Sequence, residues 1–136
     1  MKFREISDGD VERVVTLWKD CGLTRDWNDP DEDIQFARAG GSSAILVGEM
    51  DRKIIASVMV GHDGHRGVLY YLAVDPAFQK RGFGKAAHAA AVDWLKQRGV
   101  WKINLMVRAE NKAVGGFYDS LGYALNPVLS FGKRID

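Results

Sequence analysis

Cysteine occurs once in this 136-residue chain, at Cys21, which excludes an internal disulfide and any metal site built from several thiolates. An excess of charge of one sign is missing too. The 19 Lys and Arg nearly balance the 18 Asp and Glu, for a formal net charge of +1. Bulk electrostatics therefore makes no case for nucleic acid or a membrane surface as a partner. No run of about 18 apolar residues occurs, so no membrane-spanning helix is expected. Met1-Lys2-Phe3-Arg4-Glu5 lacks the apolar stretch of a secretory signal, and a cytoplasmic location is the expectation. Repeats, low-complexity tracts and linkers are absent as well. What is present is a chain with an ordinary apolar share of 46%, long enough for one domain spanning residues 1–136.

Periodicity divides the chain into alternating elements. Lys2 to Ile6 alternates polar and apolar residues as a short strand does. Ser7 or Asp8 suits a helix cap, and Val11, Val14, Val15, Trp18 and Cys21 then recur at helical spacing up to a stop at Gly22. On that stripe Cys21 reads as a small core hydrophobe. Asp29 is a good N-cap and Pro30 a good first helical residue for a second helix, Asp31 to Ala39. Trp27, Asn28 and Asp29 accordingly have two compatible readings. They form a cap with the indole packed beneath it, or an aromatic, acidic wall suited to a cationic amine.

After Gly40 and Gly41, Ala44 to Met50 and Lys53 to Val60 read as strands joined in a tight hairpin at Asp51-Arg52. The glycine-rich stretch Gly61 to Gly67 follows, then a strand from Val68 to Val74. His62 and His65 lie three apart, but a zinc site needs further ligands, and no metal site is expected. The stretch reads as a hairpin turn or as a substrate contact through His62 and Asp63, with Tyr70 on the adjoining strand. A helix from Gly82 to Arg98, capped by Gly99, carries Phe83, Ala87, Ala90, Ala91, Trp94 and Leu95 on one stripe. Val100 to Val107 reads as a fifth long strand and Asn111 to Gly122 as a short helix, although Gly115-Gly116 weakens that helix by about 1 kcal/mol per glycine. Ala124 to Asn126 and Leu129 to Arg134 read as closing strands. Val128, Leu129 and Phe131 suit either the core or the edge of a homodimer.

The chemistry concentrates between strand and helix, in Val74-Asp75-Pro76-Ala77-Phe78-Gln79-Lys80-Arg81-Gly82-Phe83-Gly84-Lys85. Glycines at a helix start leave backbone N–H groups unpaired, and with the helix dipole and nearby cations these attract phosphate. A P-loop is ruled out, because Ala86 follows Gly84-Lys85 and Gln occupies position 79. Gly82, Gly84 and Ala87 formally meet a dinucleotide fingerprint, but Asp75 to Arg81 separate them from their strand. The remaining pattern, Gln79-x-x-Gly82-x-Gly84, is a pyrophosphate loop.

This loop resembles the acetyl-CoA motif of the GNAT superfamily of N-acetyltransferases. Asn111, Ala113, Phe117, Tyr118 and Leu121-Gly122-Tyr123 resemble the second motif of the same family. The resemblance spans essentially the whole chain. It is closest to the bacterial YpeA-type acetyltransferases, through the Trp27-Asn28-Asp29-Pro30 and Gly61 to Gly67 stretches, and more distant from the RimI type. It implies an α/β fold with a mixed, mostly antiparallel central sheet of about six to seven strands, helices on both faces, and the order β-α-α-β-β-β-α-β-α-β-β.

The resemblance also implies roles. Leu72, Ala73 and Val74 lie on a bulged strand and offer main-chain groups to the pantetheine arm. Gln79, Lys80, Arg81, Gly82, Phe83, Gly84 and Lys85 wrap the pyrophosphate. Asn111 and Phe117 belong to the cofactor side, and Tyr118 protonates the leaving thiolate. The implied activity is direct acetyl transfer from acetyl-CoA, a cosubstrate, to the primary amine of a small molecule or peptide, with no metal. The family's general base does not carry over, since Met106 and Val68 occupy the positions of the glutamates. Glu49, His62, Asp63, Tyr70 and Glu110 are the alternatives. A non-catalytic acyl-CoA-binding module and a small dinucleotide-binding oxidoreductase are the competing classes.

Overall fold

The structure is a computed structural model that describes residues 1–136. The chain divides into two compact units, Met1–Leu105 and Met106–Asp136.

The first unit is built on one antiparallel sheet of four strands in the order β1-β2-β3-β4, with β1 Lys2–Glu5, β2 Ser43–Met50, β3 Lys53–His62 and β4 Gly67–Val74. Helices α1, Val11–Asp20, and α2, Pro30–Ala39, come between the first two strands, and α3, Phe83–Lys96, follows the last. The helix signals in the sequence act as expected. The Asp10 carboxylate accepts both the N–H and the hydroxyl of Ser7 at 2.8 Å, at the turn leading into α1. The Asp29 carboxylate accepts the N–H of Asp31 at 2.9 Å, with Pro30 as the first residue of α2. Gly22 and Gly99, at φ +69° and +81°, turn the chain out of α1 and α3.

Alternation along β2 separates two apolar clusters. Ile45 and Val47 join Val14, Leu17, Trp18, Ile34, Ile54 and Ala73. Ala44 and Leu46 join Val58, Val60, Leu69, Ala87, Ala91, Trp94 and Leu95. Because side chains alternate across a strand, α1 and α2 cover one face of the sheet and α3 the other. The alanines of α3 allow it to lie close. At Gly67 a Cβ would meet Leu95 Cδ1 at 2.6 Å, so any larger residue at the start of β4 would have to displace that leucine. Trp18 is fully buried, and its truncation to alanine removes contacts worth about 3–5 kcal/mol.

The sheet is smaller than the sequence pattern implies. Val100 to Val107 is not a strand. Only Ile103 bridges, in parallel, to Gly67, with Gly67 N–H donating to Lys102 O and Asn104 N–H to Gly67 O, each at 2.9 Å. Val100, Ile103 and Leu105 instead pack against the α3 cluster, which is the burial that made them read as a strand.

The second unit contains α4, Lys112–Ser120. Asn111 Oδ1 accepts the N–H of Val114 at 3.3 Å at its start, and Gly122, at φ +92°, follows its end. Tyr118 packs edge-on against Phe117 and Tyr123, with centroids 5.1 and 5.3 Å apart, and this aromatic contact offsets the two mid-helix glycines. The closing strands expected over Ala124 to Asn126 and Leu129 to Arg134 do not form. Leu125, Val128, Leu129 and Phe131 are all exposed, and an alternating stretch becomes a strand only where a partner presents its edge.

The β2–β3 hairpin turns on Asp51 and Arg52, at φ +51° and +67°, a left-handed pair that disfavours residues with a Cβ. Replacing the pair by Asn-Gly (Asp51→Asn with Arg52→Gly) is expected to stabilise the protein by about 1 kcal/mol, read as a higher urea midpoint at unchanged slope. A lower midpoint would contradict the turn assignment.

Candidate functional site

Strand β4 is out of step with its neighbour. Ser57 pairs with Ala73, but Met59 pairs with Tyr70, so Tyr71 and Leu72 together face Val58. This is a bulge, and Tyr71 takes it up in the left-handed region at φ +51°. Beyond the bulge, the Asp75 N–H donates to Ile55 O at 2.7 Å. Antiparallel alternation then turns both main-chain groups of Val74 toward the opposite edge, away from β3. Val74 O accepts there from Gln79 Nε2 at 3.1 Å and from Cys21 Sγ at 3.2 Å. Since β4 is the last strand of its sheet and Val74 O is already engaged by Gln79 and Cys21, the Val74 N–H is the group this end of the edge offers to an extended ligand.

The edge runs directly into the glycine turn. Asp75 Oδ1 accepts the N–H of Ala77 at 2.9 Å, closing a single turn of 3-10 helix over Pro76–Phe78. Asp75 Oδ2 lies 2.6 Å from Arg13 Nη2, and Arg13 Nε donates to Ile54 O at 3.0 Å, so the exit from β4 is tied to α1 and β3. Lys80 and Gly82 then adopt left-handed conformations, φ +63° and +86°, before α3 begins at Phe83. No atom lies within 4 Å of a Cβ built on Gly82, so the backbone angle rather than space calls for glycine there. The Ala86 N–H closes the first helical bond to Gly82 O at 3.1 Å, which leaves the preceding N–H groups of the first turn without helical partners. Lys80, Arg81 and Lys85 are exposed around them, with the Arg81 guanidinium 5.4 and 5.6 Å from the rings of Phe78 and Phe83. Convergent N–H groups, a helix dipole and three cations fit a pyrophosphate.

The residues expected on the acceptor side are less uniform. Trp27 is not packed beneath a cap: it is 66% exposed, while Asp29 alone serves the cap. His62 and Asp63 belong to the β3–β4 turn. His62 Nδ1 accepts the Gly64 N–H at 3.0 Å, and Asp63 Oδ1 accepts the N–H groups of Arg66 and His65 at 2.7 and 2.8 Å. Those N–H groups hold the Asp63 carboxyl below its ordinary value. Tyr70 presents an exposed ring from β4, and Asn28 is exposed beside Trp27. Glu49 is ion-paired with Arg4, and Glu110 is exposed in the second unit. No group of three or more His, Cys, Asp or Glu side chains converges as a metal site would require.

One constellation was not anticipated. Trp18 stacks on Tyr71 with centroids 3.8 Å apart and planes 4° from parallel. Its Nε1 donates to Ser57 Oγ at 2.9 Å, Ser57 Oγ donates to Tyr71 O at 3.2 Å, and the Tyr71 hydroxyl donates to Asp33 Oδ2 at 2.6 Å. Its sequence signal was Ser57, a lone hydroxyl in the apolar run Ile54 to Val60, which needs a buried partner.

Comparison with known proteins agrees with this geometry. A profile of the acetyltransferase (GNAT) family matches residues 11–123. Acetyltransferase YE1169 of Yersinia enterocolitica is 42% identical over 99% of this chain and 96% of its own length. Acetyltransferase ECA0875 of Pectobacterium atrosepticum is 43% identical over the same shares. Among solved structures, AAC(6')-Iy in complex with the bisubstrate analog CoA-S-monomethyl-acetylneamine has the same fold, with a TM-score of 0.82 at 19% identity and 98% of each chain covered.

The Asp75 anchor is testable by pH. The Ala77 N–H first, then Arg13, hold its carboxyl below the ordinary value. Its stabilising effect is complete above the unfolded-state pKa of about 3.9 and is lost as pH falls through the folded value. Asp75→Asn is expected to cost about 2 kcal/mol at pH 7 in urea unfolding, with the gap to wild type closing below about pH 4. A gap independent of pH would mean that the charge of Asp75, and with it the pairing to the Ala77 N–H and Arg13, contributes nothing.

Proposed function

The chain belongs to the acetyltransferase (GNAT) family, an acetyltransferase whose cosubstrate is acetyl-CoA, and from that premise we propose that it transfers the acetyl group directly to the primary amine of a small molecule or peptide. The observation that carries this reading is the continuity between the outer edge of β4 at Val74 and the cationic glycine turn at the start of α3. An extended amide-bearing arm pairs with the strand edge as an added strand would, and its phosphates meet the turn. Val74 contributes its main-chain N–H to the arm, its carbonyl being held by Gln79 and Cys21. Gln79 to Lys85 hold the pyrophosphate through N–H groups and the charges of Lys80, Arg81 and Lys85. The family match crosses both compact units, which supports reading residues 1–136 as one catalytic domain.

Acetyl-CoA supplies an acyl carbon activated as a thioester. The amine nitrogen forms the new C–N bond as the C–S bond breaks, without a covalent enzyme intermediate. A main-chain N–H near Val74 stabilises the developing oxyanion. Tyr118 donates the proton that the departing sulfur takes up, and the proton that the amine nitrogen sheds on becoming an amide passes through water to restore the phenol. Burial pushes the Tyr118 phenol above its ordinary value, so it holds that proton at neutral pH. Asn111, which caps α4, and Phe117 are assigned to the cofactor on their match to the second motif. The exposed rings of Trp27 and Tyr70 suit a cationic amine as acceptor.

Thiol release from acetyl-CoA with a panel of amines tests the reading, and CoA binding without turnover of any amine would refute it in favour of a binding module. Tyr118→Phe is expected to lower kcat about 100-fold while CoA affinity, measured by calorimetry, is retained. Undiminished kcat would remove Tyr118 from the chemistry. Arg81→Glu is expected to weaken CoA binding about tenfold or more, with unfolding free energy within about 0.5 kcal/mol of wild type. Equal affinity would take Arg81 out of the site.

A further inference from the structure

We infer that Asp33 and Tyr71 are positioning residues for the coenzyme edge: α2, through one carboxylate–phenol hydrogen bond, holds the β4 bulge in the geometry that presents Leu72 to Val74. The inference rests on the reading of that edge as the acetyl-CoA site. It goes beyond that reading in assigning two residues, one in the bulge and one on α2, that neither motif contains.

The geometry leads there in steps. A bulge is a register shift that a ladder does not enforce, because the extra residue has no partner of its own. A non-glycine residue at φ +51° adds strain, and such a conformation persists only where surrounding contacts dictate it. Tyr71 has three such contacts. Its ring is clamped flat against fully buried Trp18, its carbonyl receives the hydroxyl of fully buried Ser57, and its own hydroxyl reaches Asp33 on α2 at 2.6 Å. The first two come from the core and the sheet. The third alone connects the bulge to α2, the helix that follows the exposed Trp27 stretch. Burial, and then Asp33, push the Tyr71 phenol far above its ordinary value, so the phenol remains the donor of this bond throughout the physiological range. On the same strand, Cys21 at the end of α1 donates to Val74 O, so the two helices of one face hold β4 at its bulge and at its end.

Three substitutions in the full chain separate positioning from its rivals. Tyr71→Phe keeps the stacking on Trp18 and removes only the hydroxyl. Asp33→Ala removes the acceptor. Asp33→Asn keeps an oxygen that accepts the phenol proton and removes the charge. Tyr71→Phe and Asp33→Ala are expected to raise the Kd for CoA, and the KM for acetyl-CoA, about fivefold, the factor that one hydrogen bond commands, with kcat at saturation held. Asp33→Asn is expected to restore both to within about twofold of wild type. Amide hydrogen exchange reads the same hypothesis without coenzyme. Protection is expected to fall at Tyr70, Ala73 and Asp75, whose N–H groups face β3, in the first two variants while β2 and the first half of β3 keep theirs.

Protection lost evenly across the sheet would reduce the pair to a structural role and overturn the inference. So would unchanged exchange and CoA affinity in Asp33→Ala. An Asp33→Asn variant that binds CoA normally but has lost kcat would overturn it in favour of a proton-accepting role for Asp33. A wild-type protein that fails to bind CoA would refute the proposed function alone, since the exchange experiment still decides whether Asp33 and Tyr71 hold the bulge.

Discussion

One extra residue in β4, where it runs past Val58 of β3, is the constraint on which this structure turns. Two residues of β4, Tyr71 and Leu72, occupy the space opposite Val58. The ladder on either side is regular, so the mismatch must be absorbed locally by twist and by a left-handed residue. That choice fixes which way the later main-chain groups point. With Asp75 bonded back to Ile55, Val74 faces outward. The outward face is then continuous with the turn that opens α3. A strand without the extra residue would reverse the alternation and hide these groups against β3.

Holding such a strand asks for a core on both faces. Below α1 and α2 the core is shaped by Trp18, whose ring is the platform for Tyr71 and whose N–H meets Ser57. Below α3 it is shaped by small residues, Ala87 and Ala91, and by Gly67, which lets Leu95 sit on the first residue of β4. One face therefore anchors the bulge by a polar network, and the other lets the helix whose N-terminus forms the anion site lie close to the strand that feeds it. A buried hydroxyl and indole N–H carry a penalty unless both are satisfied, and here they satisfy each other.

The division between what the sequence disclosed and what it withheld follows range. Local signals worked: Asp29-Pro30, Asp51-Arg52, Gly82 and Gly99 each act within a few residues, and each lies at the boundary that its chemistry requires. The glycine turn with its cations was legible for the same reason. Pairing was not. Val100 to Leu105 has the composition of a strand, yet its apolar side chains serve the α3 cluster and its backbone makes one bridge. Leu129 to Arg134 alternates equally well and forms no strand. A period of two records which side chains face alike, not whether another edge lies within hydrogen-bonding reach. The Asp33–Tyr71 contact was hidden by the same limit, since 38 residues separate its partners and neither belongs to a motif.

Net charge was the least informative number, and the structure explains why. Several carboxylates pair with arginines in the first unit: Asp10 and Glu49 with Arg4, Asp8 with Arg38, and Asp75 with Arg13. Lys80, Arg81 and Lys85 have no carboxylate within ion-pair distance. A chain of formal charge +1 can thus carry about three uncompensated positive charges around one helix start, where the dipole adds roughly half a charge more. The field that an incoming anion meets is set within a Debye length of about 8 Å, not by the whole molecule. A balanced composition argues against extended polyanions as partners, and it leaves room for one compact phosphate group at one place.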